Sequence, residues 1–384
     1  MKKESKIFII AGEASGDILG ADLMKSIIKK NPDVVFCGVG GEEMNKIPSF
    51  KSLFNIRDIA VMGFVEVLKN LFTIKKRIKQ TVQKILKFKP DVLITIDAPG
   101  FNMNVVKKVK RQLPNTKFIH YVAPQVWAWK EKRAKKIAEV FDYLLCLFPF
   151  EPAYFEKYGL KCIVVGHTAI QNIKGNPDRF LKQNNISEDD VVITLLPGTR
   201  KQMAEKLLPI YSDVVDELYN KIENVKIVIP TTENMKYFIF NETKCWKREP
   251  IIITGKQNRY DAFLASSVAL AISGTSVLEL ALAGTPTVVA YKISPITYGI
   301  AKRLVKIKYV SLPNIIMGRE IVPEFIQGEC TAPKLLNAMI RSISDKKYIE
   351  KYRKNVELLK NKMYGESPKS PSDKAAEAIL KIIK

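Results

Sequence analysis

Short β-branched runs alternate with longer amphipathic stretches along almost the whole of this 384-residue chain, and few folds accommodate that rhythm. The runs fall at residues 7–11, 34–39, 92–96, 118–122, 143–147 and 163–165, then resume at 191–196, 225–229, 251–254, 268–272 and 287–290. Each stretch between runs is long enough for a crossover helix, so the strands are expected to be parallel and covered on both faces. The restart halfway predicts an α/β chain of two doubly wound domains. A Gly/Pro/Asn-containing segment at 166–178 suits the linker, and Lys-rich helical sequence from Pro333 with a Ser/Pro break at 367–372 forms a tail. The expected boundaries are 1–168, 169–344 and 345–384, the last packing back on the first domain.

In such folds chemistry collects at the carboxyl ends of the strands. One run, 91–96, delivers a carboxylate there: Ile94-Thr95-Ile96-Asp97-Ala98-Pro99-Gly100-Phe101-Asn102. Asp97 fits a reacting group, and it equally fits an N-cap for the helix that follows. Ala11-Gly12-Glu13-Ala14-Ser15-Gly16-Asp17 follows the first run, and Gly38-Val39-Gly40-Gly41 the second. Their glycines permit close backbone approach, either to a ligand or in a plain tight turn. The first loop is neither G-x-G-x-x-G nor a P-loop. In the second half, Pro197-Gly198-Thr199-Arg200 and Ser273-Gly274-Thr275-Ser276 each offer a glycine and a hydroxyl, the first adds a guanidinium, and the second opens a helix. The pair suits a diphosphate. Glu279, about a turn into that helix, suits a ribose diol or is an ordinary first-turn acid.

Composition narrows the partners. Sixty-two Lys plus Arg against 39 Asp plus Glu give a net charge of +23, which favours an anion: nucleic acid, an acidic membrane surface or a phosphorylated substrate. The lysines are scattered over helical segments, as on any solvated face. No nucleic-acid recognition motif is present, and aromatics do not interleave with the basic runs. Five cysteines, odd in number and without a C-x-x-C pair, argue against a disulfide framework or zinc site and for a reducing, cytoplasmic compartment. With two histidines, a His-based metal centre is not expected. The apolar run at 7–11 is too short for a signal peptide, and no segment has the ~18 consecutive apolar residues of a membrane span.

The motif at 11–17, Met62-Gly63-Phe64-Val65-Glu66-Val67-Leu68, the motif at 96–102, Tyr121-Val122-Ala123-Pro124-Gln125-Val126-Trp127-Ala128-Trp129, Phe148-Pro149-Phe150-Glu151, residues 195–200 and 273–279, and Ser311-Leu312-Pro313-Asn314-Ile315-Ile316 resemble the lipid-A-disaccharide synthase family, in order and over nearly the whole chain. The resemblance implies a family 19 glycosyltransferase of GT-B architecture, with two Rossmann-like domains facing across a cleft. Such an enzyme, from a Gram-negative bacterium and without metal or cofactor, joins UDP-2,3-diacylglucosamine to 2,3-diacylglucosamine 1-phosphate (lipid X), forming the β-1,6-linked disaccharide and UDP. Residues 1–168 would bind the acceptor and 169–344 the UDP-sugar. Substrate contacts are expected at Glu13, Ser15, Gly16, Asp17, Asn102, Gln125 and Trp127, and at Gly198, Thr199, Gly274, Thr275, Glu279 and Asn314. Thr168 stands where the family usually has Pro, and the acid common shortly after the arginine is missing, although Glu205 is near.

A β-linkage formed from an α-linked sugar nucleotide inverts the anomeric centre, so one base deprotonates the acceptor hydroxyl while the departing diphosphate is neutralised. Asp97 is the expected base. Arg200, the N–H groups near Gly198 and Gly274, and the hydroxyls of Thr199 and Thr275 would stabilise the leaving charge. Residues 61–74, apolar beyond one helix face and followed by Lys75-Lys76-Arg77, fit either shallow insertion into the anionic inner-membrane surface or a core helix. Trp127 and Trp129 fit an acyl or sugar pocket, or core. The rival readings are another UDP-sugar enzyme of the same architecture, an epimerase or the peptidoglycan glycosyltransferase, and a nucleic-acid-binding protein. The motifs at 96–102 and 121–129 argue against the epimerase and the peptidoglycan glycosyltransferase. A homodimer built by exchange of C-terminal segments is compatible with the family, and nothing in residues 333–384 decides it.

Overall fold

A computed structural model describes residues 4–59, 70–126, 132–168, 173–294, 298–299, 308–364 and 369–383. Trp127, Trp129 and residues 61–69 of the apolar stretch lie outside the described residues. The chain divides into two compact units, one of residues 1–168 with 367–384, the other of residues 169–366.

The first unit holds a six-stranded, wholly parallel sheet of β1 (Ser5–Ala11), β2 (Val34–Val39), β3 (Val92–Ile96), β4 (Lys117–Tyr121), β5 (Tyr143–Cys146) and β6 (Lys161–Val164), in the order β2-β1-β3-β4-β5-β6. Strands covered on both faces need apolar side chains at every position, and β3 is buried at all five residues. On one face Phe8, Ile10, Leu93, Phe118 and Leu144 join a core with Val105, Val106 and Val109 of the helix Pro99–Val109 and Ile137 of the helix Lys132–Val140. On the other, the helix Ala14–Lys30 comes close through its glycines: a methyl on Gly20 would lie 3.2 Å from Ile96 Cδ1.

The second unit repeats the plan with β7 (Val191–Leu196), β8 (Val225–Pro230), β9 (Ile251–Ile253), β10 (Val268–Ile272), β11 (Thr287–Tyr291) and β12 (Glu324–Ile326), all parallel, in the order β12-β11-β10-β7-β8-β9. Its core sets Ile193, Leu195, Ile227, Leu270 and Val288 against the helices Lys201–Lys221 and Ala332–Ser344. β12 escapes prediction because it is three residues long, starts with an acid and lies at the sheet edge.

The tail divides. The helix Lys346–Tyr364 buries Tyr352, Val356, Leu359 and Met363 within the second unit, where Tyr352 donates its hydroxyl to Thr285 O at 2.7 Å. Only the helix Pro371–Ile383 packs on Ala14–Lys30, burying Ala375, Ala376 and Ile379, with Lys30 paired to Glu377 at 3.0 Å. The reason is the apolar stripe at helical spacing in 352–363, which commits the longer helix to its nearest core before the Ser/Pro break.

Candidate active site

In the first unit β1 lies between β2 and β3, so the direction of winding reverses there and the loops after β1 and β3 meet at the carboxyl edge. They meet closely: a methyl on Gly12 would sit 2.1 Å from Ala98 Cβ. Asp97 and Ala98 are consecutive non-glycine residues in the left-handed region, with φ of 50° and 41°. That conformation costs roughly 1–2 kcal/mol per residue and persists only where its surroundings enforce it. Here the Asp97 N–H donates to Tyr121 O (3.0 Å) and the Ala98 N–H to Asp97 Oδ1 (2.9 Å). Asn102, fully buried, donates through Nδ2 to Asp97 O at 2.7 Å, so it acts on the turn from below. Just after β4, β-branched Val122 is also left-handed, at φ 78°. Strain in the loops of two adjacent strands singles out this edge as the candidate site.

Around the turn, Glu13 has its carboxyl raised above the usual range by burial and by the negative charge of Asp97, so the two acids face a shared region. Ser15 is exposed in the first turn of Ala14–Lys30, Gly16 is buried, and Gln125 is exposed in the loop after β4. Asp17 does other work. It is 5% exposed, and its carboxylate accepts from the N–H groups of Gly41 (2.7 Å), Glu43 (2.8 Å) and Met44 (3.1 Å), holding the second glycine loop. Its carboxylate thereby fastens the two glycine loops together.

Because the clash at Gly12 involves a single methyl, a reciprocal exchange tests the contact. Gly12→Ala is expected to displace the Asp97 turn at a cost of ~1–3 kcal/mol and to lower turnover. Adding Ala98→Gly removes the opposing methyl and suits φ > 0, so the double variant should recover stability and activity together. A double variant no better than Gly12→Ala would show that the loops do not touch as described.

Three titratable groups, His120 and Glu151 buried and His167 half-buried, are not among the site residues expected from sequence. His120 lies fully buried beside Thr95, Nδ1 to Oγ1 at 2.8 Å, and burial lowers its pKa to about 4. His167, stacked on Phe148 with centroids 5.3 Å apart, is likewise lowered to about 4 by burial. Glu151, 1% exposed, accepts from the N–H groups of Leu147 (2.7 Å) and Phe148 (3.0 Å), yet burial outweighs both bonds and pushes it up to about 8. The folded state therefore binds this proton more tightly than the unfolded one, and Glu151 costs stability progressively as pH rises from its ordinary value of 4.5 towards 8. Glu151→Gln keeps the acceptor oxygen and cannot ionise. Its stability relative to wild type should grow by at least about 1 kcal/mol between pH 5 and 8.5 in urea titrations; a constant difference would refute the raised carboxyl.

In the second unit the winding reverses between β7 and β10, and the loops after those strands meet in the same way. Gly198 has φ 109°, which only glycine adopts readily, and a methyl there would sit 3.4 Å from Ile272 Cγ2. Thr199 and Arg200 are exposed, and Arg200 starts the helix Lys201–Lys221, its carbonyl accepting from Met203 and Ala204 N–H. Glu205 pairs with Lys201 at 3.8 Å on that helix's exposed face. Gly274 and Thr275, also exposed, open the helix Thr275–Ala283, and with no side-chain cap its first N–H groups present positive potential.

Two of the expected contacts make internal hydrogen bonds. Glu279 is 8% exposed and accepts through Oε1 from Arg259 Nη2 (3.2 Å) and Tyr260 Oη (3.0 Å). Asn314, fully buried, donates to Val322 O and Glu324 Oε1 (both 2.8 Å) and accepts from Ile321 N–H (2.7 Å) and Val322 N–H (3.0 Å). Every hydrogen-bonding position of that amide is occupied. Its partner Glu324 also holds Ser311, and Ser273 Oγ donates to Val310 O at 2.7 Å, which ties the segment to the loop after β10. Trp127 lies outside the described residues, and among the described residues no cluster of His, Cys, Asp and Glu could hold a metal ion.

Two wholly parallel sheets, each with glycine-bearing loops at its switch point, define an α/β protein of two Rossmann-like domains, the GT-B class. Solved structures agree on the fold: a UDP-GlcNAc 2-epimerase from Neisseria meningitidis bound to UDP-GlcNAc aligns over 98% of this chain and 100% of its own, with a TM-score of 0.67 at 14% identity. The enzyme of that name from Methanocaldococcus jannaschii, in complex with UDP-GlcNAc and UDP, aligns over 98% and 99%, with a TM-score of 0.60 at 15% identity. The chain itself belongs to the lipid-A-disaccharide synthetase family, whose model matches residues 7–381. Lipid-A-disaccharide synthases from Gluconobacter oxydans and Rickettsia prowazekii are 40% and 41% identical to it, over 98% and 97% of this chain and 90% and 98% of theirs.

Proposed function

We propose that the chain is an inverting glycosyltransferase that joins UDP-2,3-diacylglucosamine to 2,3-diacylglucosamine 1-phosphate, yielding the β-1,6-linked lipid A disaccharide 1-phosphate and UDP. Family membership over residues 7–381 carries this reading. The rival epimerase reading has only the fold in its favour, at 14% identity. In the proposed division, residues 1–168 bind the acceptor and 169–344 the donor. Asp97 takes the proton from the acceptor hydroxyl; Glu13, Ser15 and Gln125 border the same loops, and Asn102 holds the turn. Arg200, Thr199, Thr275 and the N–H groups at Gly198 and Gly274 receive the leaving diphosphate. The exposed guanidinium and the uncapped helix N-terminus support that assignment. Incubation with both acylated substrates in detergent, followed by mass spectrometry, tests the reading: disaccharide and UDP are expected, and epimerised sugar nucleotide alone would overturn it.

The same reading puts the protein peripherally on the cytoplasmic face of the inner membrane. No helix among the described residues is long and apolar enough to cross a membrane. The helix Leu71–Phe88 begins with Leu71 and Phe72, 39% and 85% exposed, and continues into Lys75, Lys76 and Arg77, the pattern of a shallow interfacial anchor. Phe72→Ser is expected to reduce flotation with anionic liposomes while leaving the melting temperature nearly unchanged, since an exposed ring leaves no cavity. Unchanged flotation would remove this end of the helix from the contact.

A further inference from the structure

Immediately after the Asp97 turn, the helices Pro99–Val109 and Lys132–Val140 enclose a cavity of about 290 Å³. Its floor is apolar, made by Pro99, Met103, Pro124 and Ile137. Its rim is cationic, with Lys107, Arg133 and Lys136, all exposed. We propose that this cavity is the subsite for the acceptor's anomeric phosphate and the first part of an acyl chain, a proposal that rests on the reading of the chain as a disaccharide synthase.

Three observations meet here. The combination of apolar floor and cationic rim matches a ligand that is both acylated and phosphorylated, whereas a nucleotide would want polar walls. The dimensions also agree. Lys107 lies eight residues beyond Pro99, about 12 Å along the helix axis, and helical side chains lean back towards the N-terminus, so its ammonium reaches over the span of one sugar from the Asp97 turn. A hydroxyl at one end of the ring and a phosphate at the other can thus be held at once. Finally, Lys107 and Lys136 form no ion pair among the described residues, although many of this protein's cations do. A larger cavity of about 460 Å³ in the second unit is also lined by cations, but there Lys334 is paired with Glu329 and Arg341 with Asp345. Lys351 of that cavity also has no ion pair among the described residues, so what sets the first cavity apart is its place immediately after the Asp97 turn.

The test is affinity for a short-chain 2,3-diacylglucosamine 1-phosphate and for the same molecule without its phosphate, measured by calorimetry on wild type and on Lys107→Ala/Lys136→Ala. Both lysines are exposed, so the fold is not at stake. Wild type should bind the phosphorylated form about ten- to hundredfold more tightly, and the double variant should bind the two nearly alike, with UDP affinity unchanged. Retained discrimination overturns the proposal, as does an equal loss for both acceptors. Loss of liposome binding with discrimination intact assigns the rim to the membrane and also overturns it. Gly100 opens on the cavity with nothing within 4 Å of an added Cβ, so Gly100→Leu should weaken binding of long-chain acceptors more than short-chain ones; equal binding would place the acyl chain elsewhere. Disaccharide formation by wild type is read separately, so failure of the parent reading is distinguishable from failure of the subsite.

Discussion

Asp97→Asn is expected to lose ~10²–10⁴-fold in kcat, with UDP affinity and melting temperature close to wild type. The variant is unusually clean because of where Asp97 sits. Its φ of 50° is tolerated by Asn better than by almost any other non-glycine residue, and the amide oxygen can still accept the Ala98 N–H now 2.9 Å away. The contacts that hold the turn from outside, Tyr121 O and Asn102 Nδ2, involve only the backbone of residue 97 and are untouched. What disappears is the ability to accept a proton. The nearby charge also disappears, so the Glu13 carboxyl, raised partly by Asp97, should move back towards its ordinary value. Near wild-type kcat at saturating acceptor would end the assignment of Asp97 as base, and Glu13 would be the next carboxylate to test.

Arg200→Ala should cost ~2–4 kcal/mol of transition-state stabilisation and weaken UDP binding, because a charge-assisted contact to the diphosphate acts on donor and leaving group alike. Stability should hardly change. The side chain is exposed, and the start of the helix Lys201–Lys221 is supported by the Arg200 carbonyl, which alanine retains. Steady-state kinetics together with calorimetric UDP titration give the two readouts. Full UDP affinity in the variant would move the phosphate site away from this loop.

Much of the architecture was legible because parallel strands buried on both faces must be apolar throughout, and such runs stand out against amphipathic helices. β12 was not legible, being three residues of edge strand held by pairing to β11 rather than by its own composition. The site loops stood out because glycine and proline after a strand signal a sharp turn whatever lies around them. Sequence cannot say where a polar side chain is spent. The resemblance points to Asp17 and Asn314, and its place in a helix to Glu279, as binding residues, yet Asp17 accepts from the N–H groups of Gly41, Glu43 and Met44, Asn314 bonds Ile321, Val322 and Glu324, and Glu279 Oε1 accepts from Arg259 and Tyr260. Glu151 and His120 gave the opposite problem, since their shifted proton affinities arise from burial, which a single sequence does not display.

Local sequence alone determined the strand rhythm, the division into two α/β halves, the loops that carry chemistry and, through its motifs, the family, because each depends on residues near one another in the chain. Only the tertiary structure decided which polar groups are buried in internal hydrogen bonds, how the tail divides between the units, and that Gly12 and Ala98 press together under the Asp97 turn. Most of those outcomes depend on contacts between residues tens to hundreds of positions apart, where burial and hydrogen-bond competition, not residue type, set the role.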